Sequence, residues 1–116
     1  LKIKPDFWQA INNKGLVYFE KNNINLSIKL FEKAISIKDN AEPLLGLAAC
    51  LRIKDIKLAL QLAKKALTID PNYVNYDYRK EQLWGEKLQT STEILLKNDQ
   101  LAADVILAKS KINASS

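Results

Sequence analysis

Two stretches of this chain align at an offset of 32 residues, and each reads as a pair of short amphipathic helices. In Gly15–Asn40 a first helix carries Gly15 and Tyr18 and ends at the polar pair Asn22–Asn23. The next helix then puts Ser27, Phe31 and Ala34 on one face. In Gly46–Asn72 the same face is written by Ala59, Ala63 and Ala66, under Ser27, Phe31 and Ala34, with no gap from Tyr18 and Cys50 onward. A unit of this length built from two helices cannot bury its apolar face alone, so copies have to stack.

Apolar spacing, caps and breakers divide the rest of the chain. Residues 1–5 have no periodicity and read as a frayed lead-in, and Pro5–Asp6 predicts a helix start with Asp6 as its cap. Helices are expected from about Phe7 to the Asn22–Asn23 break, then over about 25–37, from Glu42–Pro43 to about Ile53, and over about 56–69, where Pro71 stops the chain. Gly15, inside a helix, predicts close approach by a neighbour, since a helical glycine otherwise costs about 1 kcal/mol. Residues 73–97 contain no proline and read as one long helix; Asn98–Asp99 signals a break before a last helix over about 100–112. Asn113–Ser116 reads as disordered.

Composition removes several chemistries. With no His and one Cys among 116 residues, disulfides, most zinc sites and Ser–His or Cys–His nucleophiles are absent. Neither cofactor, metal nor catalytic residue is expected. The three Gly and three Pro argue against an all-β fold, and no apolar run nears the roughly 20 residues that span a bilayer. The single Cys50 reads as a buried helical thiol and fits a reducing, cytoplasmic setting. The chain does not begin with Met, which leaves any upstream targeting segment open.

The net charge of +5 lies in the first 71 residues and rests on 16 Lys against 2 Arg. Nucleic-acid readers lean on Arg for bidentate contacts, so this excess of Lys reads as solvating charge, including Lys64–Lys65 and Lys54/Lys57. Tyr73, Tyr76, Tyr78 and Trp84 beside Arg79 and Lys80 leave a helical-repeat RNA-binding reading as the alternative.

The pattern of Gly, Tyr, Ala, Phe, Ala and Pro resembles the tetratricopeptide repeat. Repeat 1, about 8–39, supplies Gly15, Tyr18, Phe31 and Ala34, with Ser27 for the first Ala; repeat 2, about 40–73, supplies Ala59, Ala66 and the ending LTIDPN. Repeat 2 departs at Cys50 and Ala63, where rings would stand, and its Gly46 falls one residue out of place. The resemblance implies an all-α solenoid, two helix pairs closed by capping helices over about 74–112, forming one domain over 1–116. It also implies a non-enzymatic interaction module, a scaffold or assembly factor, with a concave groove for a partner peptide. On matching positions the groove would present Gln9, Asn12, Leu16, Phe19, Glu20, Leu44, Ala48, Leu51 and Arg52, joined by Tyr76 and Arg79 from the tail. Members that clamp a C-terminal carboxylate need polar groups where Leu16, Leu45 and Ala48 stand, so that mode is not expected. The partner is a protein, nucleic acid is disfavoured, and the chain is expected to be a monomer or weak homodimer. The tail stretch EQLWGEKL is similar to tails that follow repeat pairs in cyanobacterial members, which would point to assembly or maintenance of a photosynthetic complex.

One packing expectation follows from the departures. Small Cys50 and Ala63 leave room that a core at normal density must fill, and a tail ring, Trp84, Tyr76 or Tyr78, is predicted to fill it.

Overall fold

A computed structural model describes residues 7–115. The predicted Asp6 cap and the 1–5 lead-in lie outside the described residues, as does Ser116. The fold is all-α: α1 Trp8–Glu20, α2 Ile24–Ile37, α3 Ala41–Leu51, α4 Ile56–Ile69, α5 Tyr76–Glu81, α6 Glu86–Leu96 and α7 Ala102–Ser115. α1 pairs with α2 and α3 with α4, and α2 stacks on α3, as expected of a tetratricopeptide-like solenoid.

Local chemistry sets these boundaries. Asn23 accepts from the Leu26 amide at the start of α2, and Asp55 accepts from the Leu58 amide at the start of α4. Asp70 turns extended before Pro71 and ends α4. α1 closes in a Schellman motif: Asn23 N–H reaches Tyr18 O, Asn22 N–H reaches Phe19 O, and Asn22 sits at φ 66°.

The core of the first repeat is a ring held between two glycines. Phe31 is fully buried, and a Cβ on Gly15 or on Gly46 would lie 2.8 Å from a ring atom. Gly15 is therefore a packing notch, as its sequence context predicts. Gly46, one place off the repeat pattern, has the same task from α3 and so fastens repeat 2 to repeat 1. Ser27 departs from the usual Ala because its hydroxyl donates to Gly15 O at 2.6 Å.

The tail is not one long helix. α5 ends in a second Schellman motif, with Trp84 N–H on Arg79 O and Leu83 N–H on Lys80 O. Leu83 occupies the left-handed position, at φ 70°. That geometry costs a branched side chain about 1–2 kcal/mol, which is why nothing in the sequence marks the break there. Gly85, two residues on, has a different reason: a Cβ there would lie 2.3 Å from Glu20 Cδ. Asn98 caps the short turn Asp99–Leu101 that leads into α7. α7 continues to Ser115, past the end expected for it. It packs with the turn Pro71–Val74 against α4, covering the end of the stack.

α6 goes elsewhere. It lies against both α1 and α3, on the side away from their pairing partners.

Candidate functional site

The resemblance places a groove on the α1/α3 face, and the chain's own α6 lies over that face. Its N-terminus is tied down by Glu20, whose two carboxylate oxygens accept from the Lys87 and Leu88 amides at 3.0 and 2.9 Å. A carboxylate there satisfies donors that a helix start leaves free and complements its dipole. Lys87 Nζ donates to Asn22 at 3.0 Å. Further along, Ser91 Oγ donates to Ala49 O and accepts from Arg52 Nε, while Leu88 and Leu95 are buried beneath the helix.

The expected groove residues divide accordingly. Asn12, Leu16, Phe19, Leu44, Ala48 and Arg79 are buried, Asn12, Ala48 and Arg79 completely. Gln9 is exposed; Glu20, Leu51, Arg52 and Tyr76 are partly exposed. Glu20 and Arg52 hold α6, and the Tyr76 hydroxyl donates to Glu86. As the chain is folded, these six are closed to a partner.

The rings of the tail form an internal cluster. Tyr73 meets Tyr78 edge-on at 5.0 Å and Trp84 at 6.2 Å, and the Arg79 guanidinium lies 6.0 Å from the Trp84 ring. Trp84 is buried, as the packing argument requires, but not beside Cys50. Its indole N–H donates to Glu42 at 2.9 Å, in the first turn of α3, and Cys50 lies two turns further along that helix. Phe19 from α1 lines a cleft together with Cys50, Ala49 and Ser91. A buried polar anchor decided where Trp84 went, since the indole needs an acceptor and Glu42 supplies one.

Arg79 is the hub between α5 and α6. Nε donates to Gln89 at 2.7 Å, one terminal nitrogen donates to Tyr73 O at 2.8 Å, and the other pairs with Glu93. Expected at the groove, it serves the fold instead, because a fully buried guanidinium must have its donors answered.

Burial raises the Glu42 carboxyl above its ordinary value, against the opposing donation from Trp84 and the neighbouring Asn12 and Tyr73. Asn12 faces Glu42, yet its amide makes no hydrogen bond of ordinary length and angle. The folded chain thus holds the Glu42 proton more tightly than the unfolded chain. Its contribution to stability is fully present below the ordinary carboxyl range and is lost as pH rises through the raised value. Glu42→Gln keeps an acceptor for Trp84 and is expected to remove this loss. As pH rises above the ordinary carboxyl range the wild type should fall in urea midpoint relative to the variant. Parallel pH profiles would refute this role. Burial also pushes the Cys50 thiol up to about 12, which leaves it protonated and poorly reactive.

Three of the Lys candidates are engaged: Lys65 pairs with Asp39, Lys64 with Asp104, and Lys54 donates to Asn25. Among the described residues, no helix is long and apolar enough to cross a membrane.

Two apolar clefts flank α6. One, of about 390 Å³, lies between α1 and the α5–α6 link and is lined by Asn13, Leu16, Val17, Glu20, Lys21, Leu83 and Gly85. The other, of about 340 Å³, lies at the end of α3 and includes Phe19, Ile24, Arg52 and Ile53. Neither could be read from the sequence, because each depends on where α6 docks.

Stacked helix pairs, a glycine-held Phe31 and an Asp–Pro stop together define an all-α helical-repeat protein. Residues 9–40 match a family model described as tetratricopeptide repeat. No curated protein and no solved structure matches the chain. Tetratricopeptide repeats generally mediate protein–protein interaction and are non-catalytic, so the repeat implies a protein partner.

Proposed function

We propose that this chain is a protein-interaction module, with a scaffold or assembly-factor role and no catalysis of its own. It offers the α1/α3 face of its repeats, as rebuilt by α6, to a segment of a partner protein. Gln9, Glu20, Leu51, Arg52 and Tyr76 are the expected groove residues that keep exposure for contact, and the buried six support them from beneath. The observation that carries this reading is the pair of apolar clefts on either side of α6, which hold Val17 at 50% and Ile53 at 81% exposure.

The RNA-binding alternative loses its main support. Tyr73 and Trp84 are buried against each other rather than open for stacking. The hollow around Tyr76 and Tyr78 sets Asp77, Glu81 and the Arg79-paired Glu93 against a single Lys109, a balance that disfavours phosphate.

A photo-crosslinking amino acid at Gln9 or Val17, compared with one at Lys33 on the outer side of α2, tests the module reading in the source cell. Protein adducts are expected from the first two positions and not from the third. Equal labelling from all three, or adducts to RNA alone, would overturn it.

A further inference from the structure

A small pocket lies where three helix ends meet. Trp8 opens α1, Asn40 and Glu42 stand at the start of α3, Asp70 follows the last residue of α4, and Tyr73 sits in the turn Pro71–Val74. These side chains line a space of about 240 Å³. Its charged lining is Glu42 and Asp70, both acidic, in a chain of net charge +5. The two carboxylates converge on one ring: burial foremost, with Glu42, Tyr78 and Asp70 adding to it, pushes the Tyr73 hydroxyl up. The side chains that act on Glu42 itself are Trp84, Asn12 and Tyr73, all neutral. No cation among the described residues lines the pocket to offset the burial of that carboxyl.

Asn12 stands behind this lining. It lies one turn after Trp8 on the same face of α1, and its amide faces Glu42. The side chain is completely buried, yet neither amide atom makes a hydrogen bond of ordinary length and angle. Asn40 Nδ2, at the wall of the pocket, is likewise buried without a partner. Unanswered buried polar groups destabilise a fold, and an ion or ligand that completes the pairing is one reason such groups persist.

The chemistry selects a cation. Two carboxylates and the Asn12 oxygen are acceptors, and an ammonium has three donors to meet them. Trp8 and Tyr73 bring aromatic rings, whose faces attract positive charge. Asn40 Nδ2 is a donor, which a bare amine cannot answer and a peptide carbonyl can.

Resting on the interaction-module reading, we propose that this pocket receives the ammonium group of a lysine side chain from a partner protein. Glu42 and Asp70 pair with the ammonium, and Asn12 Oδ1 is the acceptor at its inner end. Trp8 and Tyr73 flank the alkyl stem, and a carbonyl of the same peptide accepts from Asn40.

The test is a proton–nitrogen correlation spectrum of the full chain, titrated with an end-blocked Ala-Lys-Ala peptide. The chain has two Trp, and both indole N–H groups report on the pocket: Trp8 lines it, and Trp84 donates to Glu42. Both are expected to shift saturably, and less as salt rises. The same peptide with norleucine in place of lysine should leave them unmoved. Glu42→Gln keeps an acceptor for Trp84, and Asp70→Asn keeps one for the Asn72 amide. Each variant should stay folded and weaken binding about tenfold, read at the Trp8 indole. The proposal is overturned if the norleucine peptide shifts the indoles equally, if both variants bind as the wild type does, or if no peptide of the set moves them. Butylammonium binding as tightly as the lysine peptide would give the pocket to a free amine. Indole shifts that grow with protein concentration alone would give it to a second copy. Tighter peptide binding by a Lys2→Ala/Lys4→Ala chain would give it to lysines of the chain itself. Each of these three results overturns a partner's lysine as the occupant, while the crosslinking result decides the module reading independently.

Discussion

Phe31→Ala is expected to lower the unfolding free energy by about 3–5 kcal/mol. The ring is fully buried and fills the space between Gly15 and Gly46, so its removal opens a cavity where repeat 1 meets repeat 2. Backbone on both sides is fixed in helices and cannot collapse inward. The glycines supply a control. Gly15→Ala or Gly46→Ala alone puts a methyl 2.8 Å from a ring atom and should cost about 1–3 kcal/mol. In the Phe31→Ala background that added methyl meets empty space, and its penalty should vanish or change sign. Urea denaturation of the single and double variants reads the coupling directly. If Gly46→Ala costs the same with and without the ring, the ring is not what the glycine accommodates.

Arg79→Ala should cost about 3 kcal/mol or more, and lower the melting temperature by roughly 10 °C. The guanidinium answers Gln89, the Tyr73 carbonyl and Glu93 at once, from a completely buried position. Removing it leaves two acceptors unpaired in the interior and takes away the link between α5 and α6. Glu93, half open to water, keeps its hydration, so the loss stays at the lower end for a broken buried pair. Arg79→Lys should recover only part of the difference. One ammonium cannot reproduce a planar fork aimed at three acceptors on different elements. A melting temperature within a few degrees of the wild type for Arg79→Ala would show that α6 docks without this hub.

The elements that could be read in advance are those whose causes are local. The α1–α4 boundaries follow from the helical period and from Asn23, Asp55 and Pro71, each acting within a turn of its own position. The notch at Gly15 was legible because a glycine in mid-helix on an apolar face gives up stability that close packing restores. The break at Leu83 was not, because a leucine occupies a place that glycine normally marks. The destination of Trp84 was not, because it depends on Glu42, 42 residues away. Asn12 and Leu44 have the spacing that the resemblance gives to groove residues, and both are buried. What spacing could not reveal is that a later segment of the same chain returns to cover them. Glu20 reads as a groove residue in sequence; only the return of α6 makes it a cap.

The Glu20 contacts join residues 67 and 68 positions apart. α1 to α4 therefore emerge from the ribosome, and can pair through near neighbours, well before the segment that seals α1 to α3 has been made. During that interval the apolar inner side of α1 and α3 is bare. The order of synthesis itself creates an open form with a finite lifetime, ended by the closing of one long loop. Stalling translation before Gly85 should yield a nascent chain that engages chaperones through this side, and releasing the stall should end the engagement as α6 arrives.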